Sequence, residues 1–240
     1  MERRNILFVI ANPEPRSFCH AMADAGRAAL EAAGHEVVVS DLYALGFNPV
    51  AGRHDFHTVA DADRFHYQSE QSKAAREGGF AADIATEQSK VGAADMLVLV
   101  FPLWWGGPPA ILKGWFERVM AYGFAYVDGF RFDSGLFRGR RAMFAVTTGG
   151  TPARFSPEGV YGPIADVLMP VKRLGLEYMG YDVSEPFVAY AAPRVEPEAR
   201  SAYLAEFGQR LLATAALPME AIRNDAHPLD LVPSDAWGRG

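Results

Sequence analysis

The sequence predicts a doubly wound α/β fold, in which helices cover both faces of a five-stranded parallel sheet with the strand order 2-1-3-4-5. Short, continuous apolar runs, which are typical of strands buried on both faces, alternate along the chain with helical patterns. The first strand, helix and second strand follow one another within about 40 residues, which makes a right-handed βαβ unit. At 240 residues, with half of them hydrophobic and 22% charged, the chain can bury a sizeable core.

Composition and charge argue against several classes of function. The formal net charge of −6 argues against nucleic acid as the main partner, because nucleic-acid binding favours a basic face. The single cysteine, Cys19, cannot form an intrachain disulfide and fits a reducing compartment. The apolar run at 6–11 is too short for a signal-peptide core or a membrane span. We therefore expect a cytoplasmic protein with no membrane span.

The predicted elements can be placed in chain order. Ile6–Ile10 is the first strand, and Ser17 caps a helix that stops at Gly34. The β-branched segment His35–Asp41 is the second strand. Later elements are a helix at 81–94, a strand at 95–101, a helix at 110–122, a strand at 142–146, a helix at 164–178, a strand at 182–190 and a helix at 197–214. The polar segment 42–79 is interpreted as an irregular lid or contact arm.

The chain divides into a domain at 1–216 and a C-terminal extension at 217–240, which we expect to cover the surface or contact a neighbouring subunit. The segment 123–140 is rich in glycine and aromatic residues, and we interpret it as a pocket lid or an oligomer contact. His54 and His57 could share a metal ion, but no third ligand has convincing spacing. We therefore interpret both as surface residues and predict no metal.

The turn after the first strand is a candidate phosphate site. A nicotinamide-dinucleotide fold needs Gly-x-Gly-x-x-Gly there, and residues 6–25 contain no glycine. The turn instead offers Arg16, Ser17 and the free amides of Phe18 and Cys19 at a helix N-terminus, which suit a phosphate or pyrophosphate. Simple capping of the helix by Ser17 is the alternative.

Two further loops follow strands and carry candidate ligand-binding groups. Trp104 and Trp105, after the third strand, offer flat apolar walls beside backbone amide donors, unless they are ordinary core or dimer-contact aromatics. The run Thr147–Thr151, after the fourth strand, combines hydroxyl donors with glycines that allow close approach of a ligand to the backbone. A tight turn alone would explain the glycines but not the two threonines.

In the predicted strand order, the loops after strands one, three and four converge at one crevice. A cofactor there would have its phosphate at the first turn and its ring between the other two loops. A flavin fits better than nicotinamide alone, because aromatic walls and backbone donors suit an isoalloxazine ring.

Several motifs closely resemble the NAD(P)H:quinone oxidoreductase (DT-diaphorase) family, in register from about residue 4 to 212. They are Ser-Asp-Leu-Tyr-Ala at 40–44, Phe-Asn-Pro at 47–49, Phe-Pro-Leu-x-Trp at 101–105, Pro-Ala-Ile-Leu-Lys-Gly-Trp-Phe-Glu-Arg-Val at 109–119, Phe-Ala-Tyr at 124–126 and Thr-Thr-Gly-Gly at 147–150. The resemblance implies a flavodoxin-like homodimer that carries FAD. In such enzymes NAD(P)H reduces the flavin and departs, and a quinone or similar acceptor then takes a hydride in the same pocket.

The resemblance also implies roles for individual residues. The pyrophosphate and adenosine end of FAD would be held by Ser17, Phe18 and Cys19, with Arg200 near the adenine. The edge of the isoalloxazine would be lined by Pro102, Leu103, Trp104, Trp105 and Gly106. Its N1–O2 side would accept hydrogen bonds from Thr147, Thr148, Gly149 and Gly150. Tyr126 would reach the substrate pocket across the dimer.

Some positions depart from the family pattern. Asn12 stands in place of a histidine in the first loop, Cys19 in place of an asparagine and Trp104 in place of a glutamine. Gly106 replaces an aromatic residue and Asp128 a lid tyrosine, which predicts a roomier and more polar acceptor site.

Two further departures lie where the family is proposed to handle charge at the flavin O2. Phe155 and Tyr161 stand there in place of a tyrosine and a histidine. Our hypothesis is that Tyr161 donates its hydroxyl to the N1–O2 region, together with the amides of Gly149 and Gly150.

Other functions share the same fold and remain alternatives at this point. They are a reductase of azo, nitro or chromate acceptors, an FMN rather than FAD protein, a regulatory subunit of a potassium-efflux system, and an electron-carrier flavodoxin.

Overall fold

A computed structural model describes residues 2–220 and 226–232. The strands are β1 (Asn5–Ile10), β2 (Glu36–Asp41), β3 (Met96–Pro102), β4 (Arg141–Thr147), β5 (Asp182–Val183) and β6 (Phe187–Ala189). They pair in parallel in the order β2-β1-β3-β4-β5, and β6 also pairs with β4. The predicted doubly wound fold and strand order are confirmed. The fifth strand, predicted as one piece over 182–190, is divided into β5 and β6 around Pro186, which has no N–H group for a sheet hydrogen bond.

Helices cover both faces of this sheet. They are α1 (Phe18–Ala32), α2 (Tyr67–Glu77), α3 (Ala82–Ala93), α4 (Ala110–Val119), α5 (Ile164–Val171) and α6 (Pro197–Ala215). Alternate residues of β1 face opposite layers: Ile6 and Phe8 pack with α1 and α6, and Leu7 and Val9 pack with α3, α4 and α5. Burial on both faces explains why the strands are continuous apolar runs.

The interpretation of 42–79 as wholly irregular is wrong, because the segment contains α2 and a 3-10 turn at Arg53–Asp55. The buried face of α2 carries Glu70 and Gln71 beside Ala74, so the helix has no apolar stripe for a sequence pattern to reveal. Tertiary contacts replace that stripe: the Gln71 amide donates to the Glu117 carbonyl and its side-chain oxygen accepts from the Tyr122 amide.

Two helices also differ from their predicted bounds. The helix predicted over 110–122 ends at Val119, and Gln71 binds the Tyr122 amide just beyond it. The helix predicted over 164–178 is regular to Val171 and continues as a wider, π-helical turn at Lys172–Glu177. Pro170 lies at this change and cannot donate a backbone hydrogen bond.

The part of the C-terminal extension that the structure describes contacts the chain itself. Leu229 is buried in a small apolar cluster with Tyr122, Val127 and Leu136. Asp230 forms an ion pair with Arg76 of α2 at 2.8 Å. Residues 221–225 and 233–240 of the predicted extension lie outside the described residues.

His35, just before β2, makes the stability of the fold sensitive to acid. Its Nδ1 accepts a hydrogen bond from the Arg4 amide, and burial together with the Arg4 charge lowers the pKa of the imidazole. The folded state therefore keeps His35 neutral below pH 6.5, where the unfolded chain takes up a proton. We expect the free energy of unfolding to fall as the pH drops from 6.5 towards the lowered pKa.

Urea denaturation at several pH values would measure this effect. His35→Gln should have a shallower acid slope, whereas His57→Gln, at an exposed histidine, should keep the parental slope. Equal slopes for the parent and the His35 variant would contradict the assignment.

Candidate functional site

A cavity of about 570 Å³ opens where β3 and β4 end, at the carboxyl edge of the sheet. Its lining combines the loops after these two strands with the segment 154–161. The lining residues are Leu103, Trp105, Gly106, Thr148, Gly149, Gly150, Arg154, Phe155, Tyr161, Val167 and Arg194. Eight of them are among the residues singled out in the sequence, and Arg154, Val167 and Arg194 are additional.

The loop after β3 is a tight turn. Trp104 and Gly107 exchange two backbone hydrogen bonds of 3.0 Å. The two residues that separate them in the chain have positive φ, 51° at Trp105 and 73° at Gly106. Positive φ at both central positions is costly for a tryptophan. The Trp105 side chain is nevertheless fully exposed at the cavity, which is typical of a residue held for ligand or partner contact. Trp104 and Pro102 do not line the cavity.

The loop after β4 holds its carbonyl groups away from a ligand. The Gly150 carbonyl accepts hydrogen bonds from the Ala191 amide and the Thr148 hydroxyl, both at 2.8 Å. The Gly149 carbonyl accepts one from the Arg194 guanidinium. The amides of Gly149 and Gly150 have no acceptor among the described residues, so the turn presents preorganised donors.

The side chains of the two threonines of this loop make contacts within the protein. The buried Thr148 side chain binds the Gly150 carbonyl, and the Thr147 hydroxyl lies 3.4 Å from the Cys19 thiol. The prediction that both hydroxyls donate to a ring stays a prediction, because no contact of these side chains tests it. The backbone of the turn is the available donor.

Aromatic rings form one wall of the cavity. Phe155 packs against Tyr161 and Tyr190, with ring centroids 5.1 Å and 5.9 Å apart. Gly150 permits this packing, because a Cβ there would lie 2.8 Å from the Phe155 ring. Tyr161 is half exposed, and its hydroxyl lies 3.5 Å from Arg154 Nη1.

The turn after β1 lies on the same edge of the sheet, since β1 pairs with β3. Ser17 caps α1 by accepting a hydrogen bond from the His20 amide, and the His20 ring bridges Ser17 to Asp41. The Phe18 and Cys19 amides have no acceptor in the part of the chain that is described. Capping by Ser17 is therefore present, and two donors remain for an anion.

Other residues assigned to the phosphate and adenosine end lie around this turn. The Cys19 thiol is buried, which raises its pKa, so only its amide is available. Asn12 accepts a hydrogen bond from the Glu14 amide. Arg200 lies one turn before Tyr203 on α6, and the Tyr203 ring contacts Phe18 at 6.3 Å. These residues are close to α1 but do not line the 570 Å³ cavity.

A second groove, of about 730 Å³, adjoins the cavity and shares Gly106 and Val167 with it. Tyr126 lines this groove beside Tyr178, at a ring distance of 6.2 Å. The Asp128 carboxylate accepts a 2.6 Å hydrogen bond from the Tyr122 hydroxyl, and burial, together with this bond, raises the pKa of Tyr122 to about 12. Within a single subunit, neither Tyr126 nor Asp128 lines the cavity that contains Tyr161.

Over 2–220 and 226–232, no helix is both long and apolar enough to cross a membrane. In the same ranges, no group of three or more His, Cys, Asp or Glu residues is arranged to hold a metal ion.

The parallel sheet and the cavity at its carboxyl edge define a flavodoxin-like protein, and the chain matches a family model described as a flavodoxin-like fold over residues 4–211. It is 42% identical to NAD(P)H dehydrogenase [quinone] 1 of Rattus norvegicus, over 88% of this chain and 77% of that protein. It is 38% identical to the ribosyldihydronicotinamide dehydrogenase [quinone] of Homo sapiens, over 88% of this chain and 92% of that protein. This chain belongs to the NAD(P)H:quinone oxidoreductase family.

Solved structures agree with this placement. A candidate quinone reductase from Klebsiella pneumoniae superposes with a TM-score of 0.85 at 36% identity, covering 93% of this chain and 90% of that one. The NAD(P)H:quinone oxidoreductase from Methanothermobacter marburgensis superposes with a TM-score of 0.70 at 26% identity, covering 90% of this chain and 99% of that one.

Proposed function

We propose that the protein is an FAD-dependent NAD(P)H:quinone oxidoreductase that transfers two electrons as a hydride in a ping-pong cycle. The family and the names of its relatives support an NAD(P)H dehydrogenase that reduces a quinone. The observation that carries the proposal is the cavity beside Trp105, Gly149 and Tyr161, which has an aromatic wall and two unused amide donors. Bound FAD would supply the redox chemistry by taking a hydride at N5 from NAD(P)H and giving it to the quinone.

The chain's own residues fit a flavin. The Gly149 and Gly150 amides would hold the N1–O2 side of the ring and stabilise the negative charge that develops there. Trp105, Gly106 and Phe155 would hold its flat surface and edge and exclude water. These groups position the reactants, so the protein itself has little acid–base chemistry to perform.

We favour FAD over FMN because donors continue beyond the ring site. The free amides of Phe18 and Cys19 at the start of α1 would bind the pyrophosphate. Arg200 precedes by three residues Tyr203, whose ring packs on Phe18, and we propose that it contacts the adenosine end.

We also propose a homodimer in the cytoplasm. Within one chain, Tyr126 lines the adjoining groove, Asp128 binds the Tyr122 hydroxyl, and neither lines the cavity with Tyr161. A partner subunit would supply them as a lid over the acceptor, next to the space that Gly106 leaves. The single, buried cysteine suits a reducing compartment.

Purification of the full chain tests the proposal directly. We expect a yellow protein whose extracted flavin is FAD by chromatography, whose absorbance is bleached by NAD(P)H without oxygen, and whose colour returns when a quinone is added. A folded sample that is colourless and takes up neither FAD nor FMN would contradict the proposal. Extraction of FMN alone would refute the choice of FAD.

Tyr161→Phe tests the assigned hydroxyl donor. We expect reduction of the bound flavin by NAD(P)H to slow about tenfold in stopped-flow measurements, because one donor to the charged edge is lost while the two amides remain. Tyr190→Phe is the matched control, because Tyr190 packs on the same Phe155 ring but does not line the cavity. An unchanged rate of flavin reduction in Tyr161→Phe would contradict the assignment of this hydroxyl as a donor to the flavin.

A further inference from the structure

The cavity carries positive charge that nothing in the described chain neutralises. Arg154 and Arg194 both line it, and no aspartate or glutamate does. Among the described residues, neither guanidinium lies within ion-pair distance of a carboxylate, although nine other arginines do. Arg154 donates a hydrogen bond to the Tyr161 hydroxyl, and Arg194 donates one to the Gly149 carbonyl. Two unpaired cations therefore converge on one cavity.

Both arginines are exposed, so they lie at the solvent side of the cavity. Each donates to a group that also lines the cavity, which directs the guanidinium towards that space rather than away over the surface. Guanidinium groups form strong, geometrically specific hydrogen bonds with phosphate, sulfonate and carboxylate groups. A ligand whose ring enters the cavity would bring a substituent past these two side chains.

We infer that Arg154 and Arg194 are specificity-determining residues that select ligands carrying an anionic group beside the ring that enters the cavity. The inference rests on the proposed function, in which the flavin ring is bound in the cavity and a dihydronicotinamide donor and a quinone acceptor occupy in turn the open space beside that ring. Two ligands could supply the anion: the diphosphate of NAD(P)H, or an acidic substituent on the acceptor. The shared chemistry is an oxyanion held by two guanidinium groups.

The donor arm compares NADH with dihydronicotinamide riboside, which has the same reacting ring but no phosphate. The acceptor arm compares 1,4-naphthoquinone-2-sulfonate with 1,4-naphthoquinone. In each pair, Arg154→Met should lower the ratio of kcat/KM for the anionic member to kcat/KM for the neutral member about tenfold, so that any general effect through the Tyr161 hydroxyl cancels. Raising the ionic strength from about 0.02 M to about 0.5 M should reduce the parental preference, because exposed charges are screened.

A binding measurement removes turnover from the test. Calorimetry of the flavin-loaded protein should give a dissociation constant for naphthalene-2-sulfonate that is about tenfold larger in Arg154→Met than in the parent. The neutral analogue naphthalene-2-sulfonamide should bind parent and variant alike. Arg27→Met removes one ion-paired charge from the exposed face of α1 and controls for net charge. It should leave the dissociation constants of both ligands unchanged.

Arg194 needs a separate variant because it also holds the Gly149 carbonyl. Arg194→Lys keeps the charge and should retain most of the anion preference, whereas Arg194→Met should lose it. If Arg194→Met no longer holds flavin, Arg154→Met and Arg194→Lys still decide the question.

Each outcome bears on the inference. A loss confined to the donor pair assigns the anion to the NAD(P)H diphosphate, a loss confined to the acceptor pair assigns it to the acceptor, and a loss in both supports a shared site. Equal changes for charged and neutral ligands in all arms would overturn the inference. Flavin uptake and reduction of neutral quinones would then still stand, so failure here is distinguishable from failure of the proposed function.

Discussion

Arg118→Met is expected to destabilise the protein by about 3–5 kcal/mol, because it leaves a buried carboxylate without its cation. Arg118 is 1% exposed and binds the fully buried Asp55 at 2.8–2.9 Å. It also binds Asp83 and the Asn48 carbonyl, both at 2.8 Å. One side chain on α4 thus fixes both the start of α3 and the segment that leads into α2.

The free energy of unfolding in urea would measure this loss. Lys113→Met is the matched control, because it removes an exposed ion pair with Glu117 from the same helix and should cost no more than about 0.5 kcal/mol. The double variant Arg118→Met/Asp55→Asn should recover part of the stability, since the stranded charge is then gone. A loss in Arg118→Met no larger than in Lys113→Met would show that the buried pair adds nothing.

Gly150→Ala is expected to weaken flavin binding at least about tenfold while the fold is retained. The new methyl group would lie 2.8 Å from the Phe155 ring and 3.4 Å from Tyr161, so the aromatic wall must move. Displacements of about 1 Å at a positioning surface can cost about a hundredfold in rate, because the reacting atoms lose their alignment. The backbone itself is not strained, since φ of Gly150 is not positive.

Flavin titration followed by fluorescence would give the affinity, and circular dichroism would report the fold. Gly92→Ala makes the same substitution in α3, where a Cβ meets no atom within 4 Å, and should leave the affinity unchanged. Parental affinity in Gly150→Ala would mean that the contact between Gly150 and Phe155 does not shape the flavin site.

Elements whose buried face is apolar could be predicted from the sequence, and those held by polar contacts could not. The central strands bury apolar residues on both faces and are evident as continuous runs. In contrast, α2 buries Glu70 and Gln71, whose partners lie on distant parts of the chain. The break at Pro186 in the last strand has a local signal, because proline has no N–H group for a sheet hydrogen bond.

The sequence by itself determined the strands and the three loops that follow them, because periodicity and turn residues are local properties, and the alternation of strands with helices predicted a doubly wound parallel sheet and its strand order. Only the tertiary structure decided which groups in those loops are free to bind a ligand. Thr147, Thr148 and the Cys19 thiol are turned to internal partners, whereas the amides of Gly149 and Gly150 are not. It also brought in Arg154 and Arg194, since convergence on a cavity depends on the packing of segments far apart in the chain.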